Sequence, residues 1–485
     1  MGNQKTLYWY DLETFGIDCK RDRISQFAGV RTDEDLNVIG EPLTLFCKLP
    51  EEILPEPISC LVTGITPAAA NEKGILEKDF VARIYQEFSQ PSTCVVGYNN
   101  LRFDDEFMRY CFYRNFYDPY EREWKNGNSR WDIIDMVRLT HALRPDGINW
   151  PQHDNGTTSF RLELLTKENG ISHDSAHDAL SDVYATIAFA KLIKDTHPKL
   201  YDYAYSNRSK QYAAKLLNVN QMTPVLHVSS RYPAKQYCTA VVAPLAMHPT
   251  NKNAYIVYDL SVSPTQLLEL KADEIKKRVF TPTSEMPENI DRVPLKAIHI
   301  NKCPILAPLS TLDSKSAKRI GIKLDVCYKN LQTIKQSHQL RDKIRSVFAN
   351  PGFEKETDVE YQLYDGFFTD RDKQIFEDIR RYSSDQIKKA HLHFEDPRLS
   401  ELMLRYKARN FLESLTDEES LQWEEYQQQR LFDDKNQKSL TVNLFKEKVQ
   451  ELKADPTQYP ERQHLLDELL KYVDAIAEKY QTVTA

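Results

Sequence analysis

The run TLYWYDLETFG, residues 6–16, constrains this chain more than any other segment. Its aromatic and aliphatic residues read as a buried β-strand, and that strand carries two acids near its end. Side chains alternate along a strand, so Asp11 and Glu13 leave the same face. Two carboxylates at the end of an apolar strand are costly unless something offsets their charge, and a divalent cation does so. Hard oxygen ligands suit Mg2+ or Mn2+ and not zinc. A D-x-E pattern is common on edge strands, so its meaning depends on acids supplied elsewhere.

Two later segments supply them. The short apolar strand CVVGYNN leads into NLRFDDEF, where one of Asp104, Asp105 and Glu106 would turn inward while its neighbours stay solvated. The plain alternative is an acidic helix start favoured by the helix dipole. Next comes AHDALSDVYAT, with His177 and Asp182 five positions apart. On one continuous helix that spacing would separate the side chains by about 140°. The spacing therefore predicts His177 in the loop before a helix and Asp182 in the helix's first turn and a half. A histidine beside a metal site suits a general base for water. His173 and His177 have the H-x-x-x-H spacing of a helical zinc site, but Gly170, Ser172 and Ser175 mark a loop there.

At 485 residues the chain exceeds one core, and its pattern changes along its length. Three strand-like runs fill residues 6–46. Helical periodicity follows at Phe80 to Phe88 and in a run starting at Arg130, with Ile133, Ile134, Val137 and Leu143 on one side. A last helix is expected from Asp178 to Lys194. Strands first and helices interleaved later predict an α/β domain with a mixed sheet, residues 6–194. VLHVSS, YCTAVVAPLAM, NAYIVYDLSV and LKAIHIN are β-rich, with HPTNKN as a hairpin turn, and predict a small β domain over 198–350. The composition around Ala349, Asn350, Pro351 and Gly352 is that of a linker. Helical patterns from about Asp370, a capping box at Thr416 and Glu419, and the periodic run LLDELLKYVDAIAEKY predict a helical domain over 353–475.

The formal net charge is −7, but it is unevenly placed. Residues 196–350 carry 23 Lys and Arg against 11 Asp and Glu, a balance of +12, between two acidic ends. That asymmetry points to a polyanionic partner; a solvated surface is the bland alternative. The eight Cys contain no C-x-x-C pair, which argues for reduced thiols and a cytoplasmic protein. No apolar stretch approaches the roughly 18 residues needed to span a bilayer, so no membrane role is expected.

In the order DLET, NLRFD and HDALSD, with VTGIT and SFRLELLTKENGI between them, the acids resemble those of the DEDD exonucleases of the histidine-bearing branch. SRWDIIDMVRL, ALRPDGINWP, FYRNFYDPY, HINKCPILA, LYDGFF and RYKARNF extend the resemblance, over nearly the whole chain, to the bacterial exodeoxyribonuclease I family. It implies a ribonuclease-H-like α/β exonuclease domain followed by an SH3-like β domain and an α-helical C-terminal domain. It further implies a monomer that processively hydrolyses single-stranded DNA from the 3′ end, releases nucleoside 5′-monophosphates, and serves DNA repair. Asp11, Glu13, Asp104 and Asp182 would hold two Mg2+, or Mn2+ in their place, about 3.5–4 Å apart. His177 would be the base, and Glu13 would also contact the terminal 3′-hydroxyl. Arg161 matches a substrate-contacting arginine able to grip a phosphate. The C-terminal tail of single-stranded-DNA-binding protein is an implied partner, with Arg144 and Tyr203 carried over to its site.

Three features stay open at the level of sequence. The aromatic run YCFYRNFYDPYEREW is either core or a platform for stacked bases. RYKARNF, with Arg405, Lys407 and Arg409, is a weaker basic and aromatic mixture of the same kind. Two other functions compete: a DEDD ribonuclease trimming RNA 3′ ends, which would match only the first domain, and a non-catalytic single-stranded-DNA-binding protein, which would be expected to have lost some of the acids.

Overall fold

β1 (Thr6–Thr14) is buried along nearly its whole length, as a central strand must be. In the computed structural model, which describes residues 5–173, 178–337, 339–349, 356–435, 438–457 and 459–481, it pairs antiparallel with β2 (Ile24–Thr32). On its other side it runs parallel to β4 (Thr93–Gly97). With β3 (Leu43–Phe46) and β5 (Ser129–Asp132) the sheet has the order β3-β2-β1-β4-β5. This is the mixed sheet expected of the first segment. The pairing of β1 with β2 needs Gly29, because a Cβ there would lie 2.4 Å from the Tyr8 hydroxyl. Trp9 is wholly buried, and its Nε1 donates to Thr32 Oγ1 at 2.9 Å.

Helices Glu77–Phe88 and Asp104–Arg114 pack on this sheet through an apolar cluster that includes Tyr10, Phe27, Phe80, Phe88, Val95 and Phe112. β4 and β1 are parallel, so both end on one side of the sheet. That is where open α/β sheets place their functional groups. After β4 the backbone turns through Asn99 in the left-handed region (φ 62°), which asparagine tolerates, and a single 3-10 turn leads into the helix starting at Asp104. The helical run expected from Arg130 begins instead as β5. Trp131 alternates into the core, and Asp132 Oδ1 accepts the Ile134 backbone N–H at 3.0 Å, which starts the helix only at Ile134–Leu143.

The chain forms two compact units. The first comprises Met1–Arg130, His173–Thr186 and Glu354–Ala485, and the second comprises Trp131–Ser172 and Ile187–Phe353. Within the first unit, residues far apart in sequence share cores. Phe15, Leu54, Leu61 and Ala70 pack with Phe445, Leu466, Leu469 and Val473, the last four being on helices rather than in any sheet. The capping box expected at Thr416 and Glu419 is present, opening helix Asp417–Phe432. The second unit holds an antiparallel sheet of order β10-β6-β7-β8-β9, built from β6 (Val225–Val228), β7 (Thr239–Met247), β8 (Ala254–Asp259), β9 (Leu295–His299) and β10 (Ile305–Pro308). The β7–β8 connection is the hairpin read at HPTNKN.

Charged groups also tie the first unit together. Glu360 is fully buried and accepts from Arg23 Nη2 at 2.6 Å and from Arg409 Nη1, with Arg405 at 3.8 Å. These arginines hold its carboxyl well below the usual range despite the burial. Removing one partner of such a cluster leaves the others charged and unsatisfied. Glu360→Ala should therefore cost about 3–5 kcal/mol of unfolding free energy. A urea midpoint matching that of the unaltered protein would show that the cluster carries no stability.

Candidate active site

Alternation along β1 turns Asp11 and Glu13 to one face and buries Leu12 on the other. The third acid comes from helix Ala179–Thr196, whose first turn places the Asp182 N–H 3.0 Å from the Asp178 carbonyl. One carboxylate oxygen from each of Asp11, Glu13 and Asp182 lies within 4.8 Å of the others. Asp104, at the start of its helix and only 5% exposed, acts on the same cluster, and its charge raises the pKa of both Asp11 and Glu13. Three of the four predicted acids thus converge, and the charge of the fourth, Asp104, acts on them. His177 lies outside the described residues.

Of the three acids in NLRFDDEF, two are buried, and they have different work. Asp105 accepts from Tyr10 Oη at 2.6 Å, Arg122 Nη2 at 2.7 Å and Arg130 Nη1 at 2.7 Å, and the arginine charges hold its carboxyl well below the usual range. Glu106 instead faces Arg109 and Tyr364. So Asp104 is left to the acidic cluster.

Three contacts here are not signalled by the sequence motifs. Gln26 stands opposite Glu13 in the β1–β2 ladder, and its Nε2 donates to Asp178 Oδ1 at 3.2 Å. Asp178 Oδ2 in turn accepts from the Ser181 backbone N–H at 3.3 Å, capping the helix that carries Asp182. His173 Nε2 is hydrogen-bonded to Asp182 Oδ1, so the histidine set aside as a loop residue touches a cluster acid. The register of β2 against β1 could have pointed to Gln26; the H-x-x-x-H spacing does mark His173, but its loop context argues against a role.

Other expectations are corrected. Tyr110, Phe112, Tyr113 and Phe116 of the aromatic run are buried in the core and offer no stacking face. Arg405 is paired with Asp358 and Glu401, Lys407 with Glu419, and Arg409 with Glu52 and Glu360, so RYKARNF is an internal ionic lattice rather than a nucleic-acid surface. Among the described residues, the exposed aromatics of the first unit are Trp124, which ends that run and is 63% exposed, Tyr184, Tyr364, Phe367, 85% exposed, and Tyr459.

The remaining predicted residues belong to the second unit. Arg161 precedes helix Leu162–Glu168, with its side chain 71% exposed and its Nε 3.3 Å from Glu163. Arg144 ends helix Ile134–Leu143 and pairs with Asp313 at 3.0 Å. Tyr203 Oη donates to the Leu306 carbonyl at 2.8 Å and lies 2.9 Å from Tyr212 Oη.

The donor set fits a hard divalent cation: clustered carboxylates and no thiol. Burial, followed by the charges of Asp182, Asp104 and Asp178, pushes Glu13 up to about 9. Burial and its acidic neighbours, Asp104 foremost, push Asp11 up as well. The protein on its own thus holds protons where a cation would otherwise sit.

Comparison with known proteins finds matches along the chain. An exonuclease family model matches residues 8–190, the Exonuclease I SH3-like domain residues 208–350, and the Exonuclease I C-terminal domain residues 357–476. The exodeoxyribonuclease I of Haemophilus influenzae is 46% identical over 96% of this chain and 98% of its own length. Among solved structures, Escherichia coli Exonuclease I in complex with a 5cy-dT13 oligonucleotide superposes with a TM-score of 0.93 at 42% identity, covering 98% of this chain and 100% of that one. An ExoI/SSB-Ct complex gives a TM-score of 0.90 at 43% identity, with coverage of 98% and 100%.

The raised carboxyls make stability depend on pH. Glu13 ionises at about 4.5 when unperturbed and at about 9 in the fold, so the native state binds the extra proton between those limits. Its stabilising contribution is complete below about pH 4.5 and is lost as pH rises toward 9, and Asp11 acts in the same direction. In chelator, the melting temperature should be lower at pH 9 than at pH 6.5, and added Mn2+ should raise it more at pH 9. Glu13→Gln should flatten both trends. An equal Mn2+ effect at the two pH values would contradict this account of the cluster.

Proposed function

Because this chain belongs to the exodeoxyribonuclease I family, we propose that it removes nucleotides processively from the 3′ end of single-stranded DNA and releases nucleoside 5′-monophosphates. The observation that carries the reading is the convergence of Asp11, Glu13 and Asp182 within 4.8 Å, with Asp104 acting on the same cluster. Those four side chains would hold two Mg2+, with Mn2+ able to replace them. When bound, the ions supply positive charge to the terminal phosphodiester and lower the pKa of water.

The chain's own groups do the rest. Asp11 and Asp104, at the ends of β1 and just beyond β4, and Asp182, on its helix, fix the site from three elements of one unit. Glu13 would also contact the terminal 3′-hydroxyl. His177 takes the proton as a water oxygen attacks phosphorus and the P–O3′ bond breaks; the terminal nucleotide leaves with a 5′-phosphate, and the departing 3′ oxygen of the shortened strand takes a proton from solvent to become its new 3′-hydroxyl. Arg161 grips a phosphate of the substrate strand, and its high exposure leaves it available for that contact. The cations of residues 196–350, with their +12 balance, offset the phosphates of the strand behind its 3′ end. We read residues 6–194, 198–350 and 353–475 as the exonuclease, SH3-like and helical segments of a cytoplasmic monomer that serves DNA repair.

The ExoI/SSB-Ct complex motivates a partner for this chain, the acidic and hydrophobic C-terminal tail of single-stranded-DNA-binding protein. Arg144 is the proposed anchor for a tail carboxylate. Its present pairing with Asp313, across side chains 43% and 51% exposed, is a surface contact that such an anion could displace. Tyr203 would border the apolar part of that site.

The function is tested with end-labelled single-stranded DNA, single-stranded RNA and duplex DNA in Mg2+. Only the first should be digested, and to mononucleotides. Asp182→Asn should nearly abolish turnover, and His177→Ala should lower it by about 10²–10⁴-fold with DNA binding retained. Preferential digestion of RNA would establish the ribonuclease reading instead, and wild-type turnover by Asp182→Asn would refute the active site.

The partner is tested separately by fluorescence anisotropy of a labelled tail peptide. Arg144→Ala should weaken binding by about tenfold or more, as expected for loss of a hydrogen bond to a charged group. Unchanged affinity would remove Arg144 from the tail site.

A further inference from the structure

When both are ionised, as cation ligands must be, Asp11 and Asp104 repel one another across a buried cluster, yet they come from a strand and a helix that are far apart in sequence. Something must hold those two elements at a fixed spacing. The residue beside each acid supplies it. Alternation along β1 turns Tyr10 to the face opposite Asp11, and the rotation of about 100° per helical residue turns Asp105 away from Asp104. On that far side the Tyr10 hydroxyl donates to Asp105 Oδ1 at 2.6 Å, with Tyr10 2% and Asp105 0% exposed.

Both ends of this bond are themselves fixed. The Tyr10 ring is stacked on Phe27 at 6.0 Å and edge-on to Phe88 at 5.0 Å. Asp105 is held by Arg122 and Arg130, and the Arg122 guanidinium lies 4.8 Å over the Phe88 ring. An O–H donor to an ionised carboxylate is a strong bond and admits little variation in length. It spans the same two elements as the Asp11–Asp104 pair, from the opposite side.

We propose that Tyr10, acting through Asp105, is a positioning residue that presets the spacing of Asp11 and Asp104 for divalent-cation binding. The proposal rests on the reading of those two acids as ligands. With the bracket in place, a cation meets carboxylates already gathered, and little ordering is left for binding to supply. Without it, the metal-free cluster is free to relax by moving β1 and the helix apart.

Tyr10→Phe is the decisive variant, since it deletes one hydroxyl and keeps the packed ring. Mn2+ binding to the full-length protein without DNA, followed by the electron paramagnetic resonance signal of free Mn2+, gives the readout. Tyr10→Phe should raise the Mn2+ dissociation constant by about tenfold or more, as expected for loss of a hydrogen bond to a charged group. In DNA digestion the Mn2+ midpoint should rise in parallel, with kcat at saturating Mn2+ and KM for DNA near wild type. Tyr113→Phe is the control, because it too removes a buried hydroxyl bond, the one donated to the Val359 carbonyl at 2.7 Å, away from the acids. It should leave Mn2+ affinity unchanged. Wild-type affinity in Tyr10→Phe, or an equal loss in both variants, would overturn the bracket. Asp104→Asn is measured alongside: if it binds Mn2+ as tightly as wild type, the ligand assignment fails and the proposal fails with it; if it binds weakly while Tyr10→Phe does not, only the bracket fails.

Discussion

Repulsion among carboxylates at the end of β1 is the constraint to which the first unit answers. Three carboxylate oxygens lie within 4.8 Å of one another. At an effective dielectric of about 20, each fully ionised pair at that separation would cost roughly 3–4 kcal/mol. Arg462 lowers the Glu13 pKa, but burial and the charges of Asp182, Asp104 and Asp178 outweigh it. Other arginines are committed to acids outside the cluster, Arg122 and Arg130 to Asp105, and Arg23 and Arg409 to Glu360. Neutralising the cluster from within would stabilise the chain and remove the charge that binds a cation.

This division explains why the acid motifs were legible in the sequence and their supports were not. D-x-E on an apolar strand, an acid after the next parallel strand, and an acid in a helix's first turn all follow from local periodicity, and the structure places Asp11, Glu13, Asp104 and Asp182 accordingly. The mixed sheet, the β-rich middle and the helical end were legible for the same reason. Which of two adjacent aspartates faces the cluster came from the family resemblance and not from periodicity, because it depends on Tyr10, Arg122 and Arg130 meeting Asp105. Nor could periodicity separate a basic, aromatic surface from a buried ionic lattice. Arg405, Lys407 and Arg409 have the composition of a nucleic-acid contact, and their carboxylate partners lie at positions 52, 358, 360, 401 and 419. Burial is set by packing between distant segments, which composition alone does not record.

The path of the chain adds a further demand on the site. Asp182 belongs to His173–Thr186, a short segment of the first unit whose neighbours in sequence on both sides belong to the second. A ligand delivered in this way cannot rely on its flanking backbone for position relative to β1. It must be secured by contacts made within the first unit, and these are present. Gln26, in the strand beside Glu13, holds Asp178, and the Ala179 backbone N–H donates back to Gln26 Oε1 at 3.5 Å. Asp178 caps the helix one turn before Asp182, so the strand bearing Gln26 sets where that helix starts. Tyr10 does the equivalent for the helix that starts at Asp104. Each acid brought to β1 from another element thus has an adjacent residue tied to the sheet by a side chain from β1 or β2, so that the sheet, and not the path of the chain, defines the geometry of the cluster.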